Sequence, residues 1–95
     1  MRELDIQFTG RGEVKGFLFQ QVKRSNHGYI YEVLTPEGAK WYEVFKRKEN
    51  ALFAVVSYPT SKGFGIWAWT YRKQADAEKR LIKINETAER HQGAA

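Results

Sequence analysis

The chain has 95 residues, no cysteine and a formal net charge of +5, with 42% hydrophobic and 15% aromatic residues. That length allows one domain around a single core, and the apolar content is too high for a disordered chain. Disulfides and thiolate metal sites are excluded, no run of about 18 apolar residues is present to span a membrane, and the charged start Met1-Arg2-Glu3-Leu4-Asp5-Ile6 lacks a signal-peptide core. A soluble cytoplasmic protein without membrane partners is expected.

Residues 1–12 alternate Leu4, Ile6 and Phe8 with Glu3, Asp5 and Gln7 before Thr9-Gly10-Arg11-Gly12, which reads as an N-terminal arm or an edge strand. A single domain then spans 13–91. Residues 13–22 form a first strand centred on Phe17, Leu18 and Phe19, and residues 23–28 are turn material. Residues 29–34 are a second strand, rich in β-formers, and Thr35-Pro36-Glu37-Gly38 is a turn. Residues 39–46 are a third strand, with Trp41, Tyr42, Val44 and Phe45. Residues 52–58 read as a fourth strand stopped by Pro59, and residues 64–71 as a fifth.

Ala77, Leu81, Ile84 and Ala88 recur at helical spacing and make one apolar stripe, with Glu78, Lys79, Arg80, Lys83 and Glu86 between them. Residues 92–95 are a frayed tail. Short turns imply neighbouring antiparallel strands. The fold class is therefore α+β: an antiparallel meander of about five strands with one C-terminal helix packed on one face.

Pairing the strands through the two clearest turns places Leu18, Tyr29, Tyr31, Val33, Tyr42 and Val44 on one face. Phe17, Phe19, Ile30, Leu34, Trp41 and Phe45 fall on the other. One narrow helix covers only one of these apolar faces. The second calls for a homodimer partner, a curled sheet or a ligand. In the last strand, Ile66 and Ala68 suit the helix, which turns Trp67 and Trp69 toward the second face.

In such a meander the turns at 23–28 and 47–50 share an end with the start of the helix. Lys23, Arg24, Lys46, Arg47, Lys48, Arg72 and Lys73 would then converge on one rim beside Trp67 and Trp69. Cations for phosphates and aromatic rings for bases are the two requirements of single-stranded nucleic-acid binding.

Enzyme signatures are absent. His27 and His91 have no second ligand at metal spacing, and no nucleophile elbow, phosphate loop or dinucleotide fingerprint occurs. No catalytic residue, metal or cofactor is expected. The trial register does put Glu32 and Glu43 on one face, which would be needed for acid–base work.

Tyr42-Glu43-Val44-Phe45-Lys46-Arg47, Ser57-Tyr58-Pro59-Thr60-Ser61 and Phe64-Gly65-Ile66-Trp67-Ala68-Trp69-Thr70 carry a resemblance. Over residues 13–85 the chain resembles small uncharacterised proteins of Bacteroides-type bacteria, often encoded near mobile or phage-like elements. The resemblance implies a bacterial accessory protein and no residue roles. The architecture alone is similar to single-strand-binding modules of the Whirly and Pur type, which is fold analogy only. The expected function is a non-enzymatic binding module for single-stranded nucleic acid through the basic rim and aromatic face. The alternative is a protein–protein interaction module that uses the apolar face.

Overall fold

The computed structural model describes the backbone of residues 1–93 and the side chains of residues 1–90. Its strands are β1 (Gln7–Thr9), β2 (Leu18–Arg24), β3 (Gly28–Leu34), β4 (Lys40–Lys46), β5 (Glu49–Asn50), β6 (Val55–Val56) and β7 (Ala68–Tyr71), followed by α1 (Gln74–Gly93). Five of them form one antiparallel sheet in the order β1-β2-β3-β4-β7. The helix packs across β3, β4 and β7. The α+β expectation holds, and the N-terminal arm is an edge strand paired to β2. The expected tail at 92–95 lies outside the described residues beyond Gly93.

The centre of the sheet is β3, flanked on both sides and apolar on both faces. Residues 28–31 and Val33 are all buried. Its aromatic and β-branched side chains suit a pleated surface closed above and below. On the helix face, Ile30, Tyr42 and Val44 meet the stripe Ala77, Leu81 and Ile84. The helix lies so close that a Cβ on Gly28 would sit 2.8 Å from both Leu81 Cδ1 and the Phe45 carbonyl oxygen. Only glycine fits there.

Two one-residue irregularities reset the faces relative to the sequence reading. The β3–β4 turn closes with Gly38 N–H on Thr35 O (3.0 Å) and Thr35 N–H on Ala39 O (2.8 Å), and Gly38 adopts φ +93°. This adds one residue to the loop, so Tyr29 faces Phe45 and Tyr31 faces Glu43. A bulge between Gln21 and Lys23 does the same in β2, pairing Phe19 with Val33. Because side chains alternate with period two, a one-residue shift moves a whole set to the other face. Tyr29, Tyr31 and Val33 therefore share the second face with Phe19 and Phe45, not with Tyr42 and Val44.

The expected fourth strand does not join the sheet. Val55 and Val56 pair only with Glu49 and Asn50 in a small hairpin, and β7 pairs directly with β4. The excursion between β4 and β7 instead folds over the second face, bringing Val56, Tyr58, Phe64 and Trp67 onto it. The N-terminal arm closes the same layer. Arg2 is bonded to Ala54 and Val56, Leu4 packs inward, and the Phe8 ring stacks on Phe19 at 4.8 Å. The chain thus covers its own aromatic face, and a dimer partner is not required for that purpose.

Candidate binding cleft

At the end of the second face nearest the β3–β4 turn, the cover is incomplete. The gap is a cleft of about 910 Å³ between the β1–β2 connection on one side and residues 58–64 on the other. Phe19 from β2 and Trp41 and Glu43 from β4 form its floor, because alternate residues of these strands point to this face. Phe17 stands edge-on to Trp41 at 5.9 Å, and Phe8, Tyr58, Pro59 and Phe64 form the walls. Pro59 is buried and anchors the wall, and Gly63 leaves room for the Trp67 indole that a Cβ would approach to 2.6 Å.

Glu43 gives the cleft its chemistry. Its Oε1 accepts the Tyr58 hydroxyl at 2.7 Å and its Oε2 accepts the Trp41 indole N–H at 3.0 Å. Each carboxylate oxygen has a second lone-pair site beyond these bonds. Among the described residues, no basic side chain forms an ion pair with Glu43. Burial, followed by the adjacent Glu43 charge, pushes the Tyr58 phenol well above its ordinary range, so it stays a protonated donor. The other charged residues on the lining are Asp5, Glu13 and Arg11. A chain with a net charge of +5 therefore lines its main cleft with three acids and one base.

The opposite end of the same face is sealed. Glu3 from the arm accepts bonds from Arg47 and Tyr29 and lies 3.6 Å from Arg24. The Arg47 hydrogen bonds and the Tyr29 hydroxyl lower the Glu3 carboxyl to about 2. Arg47 also holds Glu49, and these hydrogen bonds raise its pKa further.

The basic rim predicted from sequence is not assembled as one surface. Because β7 pairs directly with β4, with Tyr71 opposite Tyr42, it runs away from the β2–β3 turn. Arg72 and Lys73 therefore lie at the other end of the sheet from Lys46, Arg47 and Lys48. They are exposed, and the Lys73 carbonyl accepts the Ala77 N–H to start the helix. Lys23 turns to the helix face and pairs with Glu78 at 3.0 Å, whereas Arg24 lies over Tyr29 on the second face. Lys48 covers the Trp67 ring at 5.0 Å, and Lys46 is exposed.

The two tryptophans do not share a face. Ala68 is buried among the second-face aromatics, Trp67 stands edge-on to Phe45 at 6.3 Å, and Ile66 is exposed. Trp69 lies on the helix face under Arg80, 4.3 Å from its ring centroid. The short β7 begins only at Ala68, so Trp67 belongs to the preceding turn and escapes the alternation. Glu32 and Glu43 are likewise on opposite faces, since Glu32 pairs with Tyr42. Among the described residues there is no cluster of three or more metal-ligating side chains, and no helix is long and apolar enough to cross a membrane.

Tyr58, Phe17, Trp41 and Phe64 were not singled out as site residues in the sequence. The one readable signal was Trp41-x-Glu43, an aromatic donor and a carboxylate two residues apart and so on one face of a strand. No protein-family model matches the chain, and none of the curated proteins or solved structures compared with it is significantly similar.

Proposed function

We propose that the protein is a non-enzymatic interaction module that docks a peptide segment of a partner protein in the cleft between the β1–β2 connection and residues 58–64. The observation that supports this reading is an aromatic-lined groove at a part of the second face where the cover is incomplete. The cleft is open to solvent rather than enclosed, which suits a segment of a larger partner better than an enclosed small molecule. Its polar floor, Glu43 with Tyr58 and Trp41, is a fixed hydrogen-bonded unit rather than a nucleophile with a base. A nucleic-acid reading has less support, because the aromatic face is covered and the cations are divided between two ends and two faces.

Panning a random dodecapeptide library against the protein tests the reading. Enriched peptides are expected to lose binding to Phe64→Ser and Phe17→Ser variants while binding a Trp69→Phe control normally. Peptides that bind all three variants alike, or no enrichment, would overturn it.

A further inference from the structure

We infer that the cleft selects a basic side chain, arginine or lysine, as the anchor of the docked segment; this rests on the cleft being the binding site. Glu43 is the reason. An ionised carboxylate beside apolar surface is ordinarily matched by a cation, because desolvating an unmatched charge is unfavourable. The protein follows that rule at the other end of the same face, where Glu3 has both Arg47 and Arg24. At Glu43 it supplies only two neutral donors. The cation is missing from a chain that has 16 lysines and arginines to place.

The surroundings fit the missing group. Trp41, Phe17 and Phe64 line the approach to Glu43. Aromatic faces attract ammonium and guanidinium groups through the ring quadrupole, and they also pack along the apolar stem of either side chain. The free lone pairs on both Glu43 oxygens can accept from the incoming N–H groups without displacing Tyr58 or Trp41. Glu13 on the lining adds to the negative field, whereas Asp5 is paired with Arg2 at 3.4 Å, and Arg11 is exposed and forms no ion pair among the described residues. Among the described residues, Arg11 is the one cation on the lining of the cleft. A nucleic acid would be repelled here.

Glu43→Gln is a clean probe. The amide accepts the Trp41 N–H on its oxygen and donates to the Tyr58 oxygen, so the first bond is kept and the second is reversed. The experiment is an NMR titration that follows the Trp41 indole N–H with blocked tripeptides Ac-Ala-Xaa-Ala-NH2. Xaa is arginine, lysine, the neutral isosteres citrulline and norleucine, or glutamate. Butylguanidine serves as the free small-molecule arm.

The arginine and lysine peptides are expected to bind about tenfold to a hundredfold more tightly than their neutral isosteres, the size of a charge-assisted hydrogen bond. Glu43→Gln should erase that difference. The isostere comparison leaves the protein untouched, so it holds even if the variant folds poorly. Equal binding of arginine and citrulline would overturn the basic anchor while leaving the cleft as a site. Butylguanidine binding as tightly as the arginine peptide would overturn a peptide occupant. If no tripeptide binds while panned peptides do, the anchor inference fails and the docking reading stands. If neither binds, both fail.

Discussion

The two ends of the aromatic face use the same device for opposite purposes. Each places a glutamate against a tyrosine hydroxyl, Glu3 on Tyr29 and Glu43 on Tyr58. At the Glu3 end two arginines neutralise the carboxylate and the arm is fastened down. At the Glu43 end an indole N–H is the only other donor among the described residues, and the cover stops short. The first is a fastening and the second is an opening. The difference shows that the chain has cations available and uses them where closure matters.

The largest perturbation breaks the comparison by removing what both ends share. Phe45 is fully buried at the middle of the face, stacked on Tyr29 at 5.6 Å and on Tyr31 at 5.8 Å, with Tyr58 against it at 4.8 Å. Phe45→Ala is expected to destabilise the fold by about 3–5 kcal/mol, the usual loss for a buried ring. Urea unfolding would measure it. A loss below about 1 kcal/mol would mean that the two ends are held independently of this ring.

A change of pH should separate the ends. The folded Glu3 carboxyl is lowered from 4.5 to about 2, so its contribution is complete above the unfolded value and is lost as pH falls from there toward about 2. Hydrogen exchange over that window should expose the arm first, through the Gln21 amide bonded to Ile6 O (2.7 Å) and the Val56 amide bonded to Arg2 O (2.8 Å). The helix-face amides should keep their protection until global unfolding. Simultaneous loss of both sets would contradict a separately fastened arm.

What could be read from the sequence and what could not divide along the same lines as the structure. The helix was legible because Ala77, Leu81 and Ile84 follow one period and meet one sheet face. The β3–β4 turn was legible from Pro36 and Gly38, yet its extra residue was not, and that residue reversed the faces of β4. Residues 52–58 carry the composition of a strand, but an apolar run also suits a segment laid over a sheet, and local pattern does not separate the two. The demand came from a distance: a second aromatic face had to be buried, and this excursion was the piece long enough to do it. Treating residues 52–58 as a sheet strand also reversed the direction of β7, and that alone brought Arg72 and Lys73 to the wrong end.

The most direct test of the asymmetry compares the thermal unfolding midpoints of Glu3→Gln and Glu43→Gln. At Glu3 the amide leaves Arg47 with Glu49 as its one anionic partner among the described residues and takes the carboxylate from beside Arg24, and the midpoint should fall clearly. At Glu43 the amide keeps the Trp41 contact, reverses the Tyr58 one and removes an unmatched charge, so the midpoint should fall much less than at Glu3. Equal losses at the two positions would show that Glu43 is as structural as Glu3, and would contradict the assignment of the open end to binding.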